Sequence, residues 1–346
     1  MSSVVDGDAC AEASDEFAKG IDSFGGEELQ TLAHVIDANR LTYSAYEMLG
    51  GLDSMACRTL RDCLKPTVLR LEELRGHRDS LLRKLVFLLE DDGIGYVVYK
   101  TLNRSGWVGV DIDILVESSR FDDCIRILHA EGFSAVDELS KRYAVGFMVK
   151  GNPTVVDLHS QLTVLGVPYL SPEVLLGGRR KVRYESSPGE EALVLCVPEA
   201  MAELVVRLAH AVIKEGSVSA GEVVEVCPAL RDLDCLVPLV EGEHLELALG
   251  VFSFFASAVP GFEGFRELRV WEGSFFSALA ARLLSRGDEV LVPPFRVSLP
   301  LRALALVDHL YRGDELGRMP LQLGNLRFRR SAAYLGHKLV EDMCLS

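Results

Sequence analysis

The sequence predicts an α+β protein in which a small mixed β-sheet is flanked by helical regions before and after it along the chain. Apolar residues recur with a helical period over residues 27–91 and again from residue 198, whereas residues 96–159 contain short β-rich runs and one amphipathic helix. Strands mixed with a helix in one short stretch are typical of a compact α+β unit.

Four regions follow one another along the chain. Residues 1–25 hold six acids and one lysine without a sustained helical period, which predicts a mobile acidic tail. Residues 26–92 are expected to be a helical N-terminal region, with one helix ending near Pro66 and a further apolar stripe after it. We expect residues 93–185 to form the α+β core and residues 186–346 to form a helical C-terminal domain with a basic end.

Within the core region the pattern predicts four strands and a helix. The strands are expected at residues 96–99, 108–116, 143–149 and 154–159. The helix begins at Phe121 and is closed by Gly132, so it connects the second predicted strand to the third.

Composition excludes several classes of protein. The 346 residues are 49% hydrophobic and 25% charged, which is ordinary globular usage and rules out disorder over most of the chain. The net charge of −15 argues against non-specific coating of nucleic acid, although a local basic patch is compatible with it. The longest uncharged run, residues 247–262, is shorter than the ~18 residues needed to cross a bilayer, so we expect no membrane partner.

The eight cysteines are scattered and form no CxxC pair, so neither a zinc ribbon nor a thioredoxin motif is supported. Cys124 and Cys196 lie in apolar runs and are interpreted as reduced core residues. Reduced cysteines, together with the absence of a signal-peptide pattern at the N-terminus, favour a cytoplasmic protein. The sequence leaves the oligomeric state open.

The candidate site begins with Asp111 and Asp113 in the predicted strand 108–116. Residues two apart on a strand face the same side, so both carboxylates project from one face while Ile112 and Ile114 enter the core. Two acids side by side in an apolar strand repel each other and lose hydration, so they need a compensating cation. Oxygen ligands of this kind suit Mg²⁺.

A third acid, Asp157, lies in the middle of the predicted strand 154–159. If this strand pairs beside the first, Asp111, Asp113 and Asp157 converge on one metal site, of the kind that clamps the attacking and leaving oxygens in phosphoryl transfer. Each aspartate taken alone is more often a solvated strand residue, which is the alternative interpretation.

These residues resemble those of a known group. The segment DIDILV, followed by a helix ending in EGF, a further strand and VVDLH, is similar to the DNA polymerase β-type nucleotidyltransferase superfamily. It is most similar to uncharacterised prokaryotic nucleotidyltransferase-like proteins with a late vDLH strand, and the resemblance covers about residues 93–160. The resemblance implies two Mg²⁺ ions held by Asp111 and Asp113. It also implies that Asp157 completes the catalytic metal site and helps to deprotonate the acceptor hydroxyl.

The chain departs from this group at the turn that cradles the triphosphate, which is usually Gly-Gly or Gly-Ser. Lys100 and Thr101 stand there instead; Lys100 is a candidate phosphate contact, and Thr101 is a candidate replacement for the serine hydroxyl. Arg104, in the following loop, is a further candidate for binding the nucleotide. His159 shares a face with Asp157 and is either a substrate contact or a hydrogen-bonded structural histidine.

The C-terminal region carries two groups of basic residues. Arg207, His210 and Lys214 share one side of a predicted helix over residues 198–215. A solvated polar face is the favoured interpretation, and contact with the nucleotide is the alternative. The segment 318–338 holds five basic residues and no acid, and it either binds RNA or another acidic partner or balances an acidic body.

These features predict a Mg²⁺-dependent nucleotidyltransferase with Asp111, Asp113 and Asp157 as its catalytic residues. It would move a nucleoside monophosphate from an NTP to a hydroxyl of an unknown acceptor (RNA, a protein or a small molecule) and release pyrophosphate. Because the Gly-Gly or Gly-Ser turn is missing, an inactive protein of the same fold that binds an NTP or a partner is the first alternative. A toxin-type nucleotidyltransferase that acts on tRNA is the second.

Overall fold

The computed structural model describes residues 16–103, 105–109, 111–136, 143–164, 167–185, 192–226, 233–259, 294–297 and 299–312. In this part of the chain helices surround a five-stranded mixed sheet, so the predicted α+β class is confirmed. No helix within these ranges combines the length and the apolar character that crossing a membrane requires.

Helices precede the sheet along the chain. They are α1 (residues 16–21), α2 (Gly26–Ala38), α3 (Thr42–Gly50) and α4 (Met55–Asp91). Ile21 of α1 is buried in a cluster with apolar residues of α2, α3 and α4. Residues 16–21 of the predicted acidic tail, residues 1–25, are therefore helical, because Ile21 packs against the apolar residues of this cluster.

Helix α4 runs for 37 residues and passes through Pro66. Ser54 caps its start, and its hydroxyl accepts a hydrogen bond from the backbone N–H of Cys57 at 3.1 Å. The prediction that a helix ends near Pro66 is wrong, although a proline inside a helix removes a hydrogen bond and costs about 3 kcal/mol. Leu64 and Val68 are buried on either side of the proline, and their packing offsets this local cost.

The central sheet is built from five strands. They are β1 (Tyr96–Tyr99), β2 (Asp111–Val116), β3 (Phe133–Ala135), β4 (Ala144–Val149) and β5 (Val155–His159). Their order is β1-β2-β5-β4-β3; β2 runs parallel to β5, and the other neighbouring pairs are antiparallel. The helix α5 (Phe121–Ala130) connects β2 to β3. The four predicted strands and the helix all form, and β3 is a short edge strand that the prediction did not include.

The two faces of the sheet meet different partners. Ile112 and Ile114 on one face pack with apolar residues of α4 and α5. Leu115 points to the other face and belongs to a separate core, which contains the helices that follow the sheet. Because side chains alternate along a strand, Asp111 and Asp113 share the face of Leu115. The acidic residues therefore face the C-terminal helices.

Short strands and helices complete the described chain. They are β6 (Leu162–Val164), β7 (Val167–Leu170), α6 (Pro172–Gly177), β8 (Arg180–Tyr184), β9 (Leu193–Val197), α7 (Ala200–Ala209), β10 (Ser217–Val218), α8 (Ala220–Val226), α9 (Leu233–Gly242), α10 (Glu246–Ala256), β11 (Phe295–Arg296) and α11 (Leu299–Arg312). Helix α7 continues into a π-helical segment, His210–Glu215, which ends at Gly216 with a φ of 66°. The basic segment 318–338 lies outside the described residues.

Leu85 and Leu69 form a matched pair on α4. Leu85 is 1% exposed and packs with the sheet, whereas Leu69 is 55% exposed. We expect Leu85→Ala to lower the free energy of unfolding by about 2–5 kcal/mol, because it removes buried contacts and leaves a cavity. Leu69→Ala should change it by less than about 0.5 kcal/mol. Urea denaturation followed by circular dichroism measures both, and equal losses would contradict the assigned buried face of α4.

Candidate active site

The pairing of the central strands brings the acidic side chains together. Asp113 of β2 is directly paired with Asp157 of the parallel neighbour β5, and Asp111 lies two residues before Asp113 on the same face. Gly146 of β4 is paired with Asp157 on its other side. Glycine has no side chain, and a Cβ at position 146 would lie in van der Waals contact with Asp157, 3.4 Å from its Oδ1. The three acids therefore share one face of the sheet, and a glycine lies beside one of them.

Asp113, Asp157 and His159 form a group that could hold a metal ion. One ligand atom of each residue lies within 4.8 Å of the other two. Asp113 Oδ1 and His159 Nε2 are 3.6 Å apart, and both are buried atoms with no hydrogen-bond partner among the described residues. Burial lowers the pKa of His159, so the imidazole is neutral and can offer a lone pair. Two carboxylates and a neutral imidazole with orphaned buried atoms fit a divalent cation.

Asp111 lies at the edge of this group. It is half-buried, and it is not one of the three described residues whose ligand atoms cluster. Burial, together with the negative charge of Asp113, raises the pKa of Asp111 to about 6. A carboxyl group in this environment has too little positive charge around it, and a cation bound nearby would stabilise its ionised form.

The ammonium group of Lys100 neutralises part of the site. Its Nζ lies 2.9 Å from Asp113 Oδ2 and 3.1 Å from His210 Nε2. Burial alone would raise the pKa of Asp113, but the Lys100 charge, together with the neighbouring His159 and Lys214, holds it well below its usual range. The Lys100 backbone has a φ of 56°, and its N–H donates a hydrogen bond to Glu203 Oε1 at 2.7 Å. A lysine in this left-handed conformation is uncommon, and the three contacts hold it there.

Polar residues of α7 and the π-helical segment face the lysine. Arg207 Nε donates to Glu203 Oε1 at 2.8 Å, and the Arg207 and His210 side chains are only 11% and 12% exposed. Burial and the nearby Lys100 charge keep the pKa of His210 well below its usual value, so its neutral ring accepts a hydrogen bond from Lys100. The interpretation of this helix side as a solvated polar face is therefore wrong for Arg207 and His210.

A cavity of about 430 Å³ shares Lys100 and Thr101 with the site. Four arginines are among its lining residues: Arg75, Arg78, Arg180 and Arg207. Its volume lies in the range of small-molecule sites, roughly 300–1,000 Å³. Asp111, Asp113, Asp157 and His159 are together called the acidic group. The three aspartates are not among the described residues that line the cavity, whereas Lys100 lines it and also contacts Asp113.

The remaining predicted residues differ in their placement. Thr101 is buried, and its hydroxyl donates to the backbone oxygen of Tyr99 at 3.2 Å, so this group is already bonded to the chain. Arg104 lies outside the described residues. Glu203 was missed by the sequence reasoning. Its burial could have been inferred from the helix around it. Glu203 and Arg207 lie four residues apart in a helix with apolar residues on every side. A helix of this kind is buried, and its charged residues are buried with it.

The chain has little similarity to known proteins. No family model matches the chain. No curated protein matches it either. Among solved structures, the solution structure of the antibiotic-resistance factor ANT(2'')-Ia is similar, with 11% sequence identity and a TM-score of 0.32, over 54% of this chain and 95% of that chain. At this identity and TM-score the similarity does not assign a function.

The role of His159 as a metal ligand can be tested with Mn²⁺ alone. We expect His159→Ala to weaken Mn²⁺ binding by about tenfold or more, because one of three ligand atoms is removed. Isothermal titration calorimetry of the full chain measures the affinity. His34→Ala, at an exposed position of α2, removes a histidine far from the acidic group along the chain and should leave the affinity unchanged. Wild-type affinity in His159→Ala would show that the imidazole is not a ligand.

Proposed function

We propose that the protein is a Mg²⁺-dependent nucleotidyltransferase, which moves a nucleoside monophosphate from an NTP to the hydroxyl group of an acceptor and releases pyrophosphate. The observation that carries the proposal is the direct pairing of Asp113 with Asp157 on adjacent parallel strands, with Asp111 on the same face. Phosphoryl transfer is catalysed mainly by positioning and charge neutralisation, and carboxylates that share a cation beside a ligand-sized cavity meet both needs.

The residues of the acidic group would have different roles in the reaction. Asp113, Asp157 and His159 would hold the ion, since their ligand atoms cluster and include orphaned buried atoms. A bound Mg²⁺ supplies positive charge for the phosphoryl oxygens in the transition state. The family resemblance implies that the acid at the position of Asp157 helps to deprotonate the acceptor, so we assign Asp157 to taking the proton from the acceptor hydroxyl. Asp111, at the edge of the group, would add its charge on the nucleotide side.

The nucleotide would lie between the acidic group and the cavity. Lys100 joins the two, and its ammonium would contact the phosphates as a point charge. The cavity wall holds four arginines and Lys100 against the three acids Glu185, Glu203 and Glu225, so it is net positive in a chain whose net charge is −15. This excess favours an anionic ligand. Thr101 lines the same cavity, but its hydroxyl is hydrogen-bonded to the backbone. We therefore give it a structural role in the cavity wall and no contact with the phosphates.

The acceptor class stays open between RNA, a protein and a small molecule. An RNA acceptor would be bound with the help of the basic segment 318–338. We place the protein in the cytoplasm, because Cys124 and Cys196 are buried thiols of the kind that reducing compartments maintain.

The reaction can be tested by pyrophosphate release from each of the four NTPs with Mg²⁺ and with RNA, protein or hydroxylated small molecules as acceptors. We expect Asp113→Asn to lower the rate by at least about 100-fold, because it removes the charge at the centre of the ion site. The initial rate of pyrophosphate release is the measurement.

Asp122→Asn is the matched control for this experiment. It makes the same chemical change at an exposed position in the first turn of α5, and it should keep the wild-type rate. Undiminished pyrophosphate release by the double variant Asp113→Asn, Asp157→Asn would overturn the proposed function.

A second candidate function is NTP binding without turnover. It is favoured by one contact, in which the Lys100 ammonium already occupies Asp113 Oδ2. If this function is correct, an NTP with Mg²⁺ raises the unfolding temperature of the full chain, because a ligand that binds only the folded state stabilises it. No pyrophosphate then forms with any acceptor. Scanning fluorimetry and the pyrophosphate assay, carried out on the same samples, distinguish the two functions.

A further inference from the structure

The two oxygen atoms of the Asp113 carboxylate have different surroundings. Its Oδ2 atom lies 2.9 Å from Lys100 Nζ, whereas Oδ1 has no hydrogen-bond partner in the described part of the chain and lies 3.6 Å from His159 Nε2. An aspartate can bridge two metal ions by offering one oxygen to each of them. Here one oxygen already lies against a positive charge, which disfavours a cation there, whereas Oδ1 is the unpartnered oxygen that an ion can use.

Lys100 is a fixed part of the site rather than a mobile surface lysine. Besides Asp113, its largely buried ammonium group contacts His210 Nε2 at 3.1 Å and lies 5.4 Å from the centre of the Tyr99 ring. Its backbone N–H is bonded to Glu203 Oε1 at 2.7 Å. A charged side chain that is held at both its backbone and its tip behaves as a permanent cation of the site.

The charges of the site without nucleotide are balanced by a single divalent ion. The three negative charges of Asp111, Asp113 and Asp157 equal the combined charge of one ammonium group and one divalent ion. Lys214 and Glu215, at the end of the π-helical segment, act on the site with opposite signs. A second divalent ion would leave excess positive charge in a largely buried place, which is unfavourable.

We propose that Lys100 Nζ takes the place of one of two divalent ions, so that the site binds a single ion. That ion would be held by Asp113 Oδ1, Asp157 and His159, and the lysine would neutralise Asp113 Oδ2. The inference rests on the metal site of the proposed function, and it replaces the two ions that the family resemblance implies with one ion and one ammonium group.

The number of bound ions tests this inference. The full chain is titrated with Mn²⁺ alone, and electron paramagnetic resonance counts the free ion. We expect one Mn²⁺ per wild-type chain. In Lys100→Met and in Lys100→Gln we expect two, with the signal of a spin-coupled pair, because both oxygens of Asp113 are then available. Lys100→Arg keeps the positive charge and should bind one.

Two further variants locate the second ion. Lys181→Met removes a lysine whose side chain is 66% exposed on β8, and it should bind one ion like the wild type. Adding Asp111→Asn to Lys100→Met should return the count to one, since the second ion would need the Asp111 and Asp113 carboxylates together. A second ion that persists in this double variant lies elsewhere and would overturn the inference.

The remaining outcomes separate the inference from the proposed function. Two ions in the wild type, or one ion in both neutral variants of Lys100, would overturn the inference and leave the metal site standing. No bound ion in the wild type, or an Mn²⁺ affinity that Asp157→Asn does not change, would overturn the metal site and the proposed function with it.

Discussion

The contact between the Lys100 ammonium and the Asp113 carboxylate is the interaction on which the site depends. Asp113 is almost completely buried, and the strand pairing places a second carboxylate, Asp157, beside it. Burial and like-charge repulsion both favour the protonated form of such a group. The pKa of Asp113 is nevertheless well below its usual range, and the nearby lysine is the main reason. The sheet can hold ionised carboxylates on an interior face only because a cation is built in next to them.

The C-terminal helices are arranged around the same contact. Helix α7 packs on the sheet face that carries the aspartates, and it brings Glu203 to the backbone of Lys100. The helix then changes to a π-helical segment at His210, whose ring contacts the lysine tip. A π-helical turn alters the direction of the residues that follow, and such turns are frequent at functional sites. The helices that follow the sheet therefore contribute residues to the candidate site as well as covering the sheet.

The sequence predicted what local patterns control and missed what tertiary packing decides. The alternation of apolar and acidic residues identified β2, and with it the face of Asp111 and Asp113. The continuity of α4 through Pro66 was not predictable, because it depends on partners that bury both sides of the proline. The hairpins β6–β7 and β8–β9 were missed, since their strands are too short or too exposed to show a period. For His159, only the geometry favours a ligand over a structural histidine.

The backbone of Lys100 carries strain that the contacts of the site offset. A φ of 56° is a conformation that glycine adopts at little cost and that other L-residues adopt with strain of about 1–2 kcal/mol. Lysine adds a second unfavourable contribution, because its ammonium group loses hydration on burial. The pKa of Lys100 is still raised, since the charge and hydrogen bond of Asp113, together with the charges of Asp111 and Glu215, outweigh that loss. Strain and burial at one residue are both offset only while Asp113 stays ionised, so the lysine and the aspartate stabilise each other. Such a pair does not need a metal ion to hold its carboxylate in the charged form, and it leaves the other aspartate oxygen available for one.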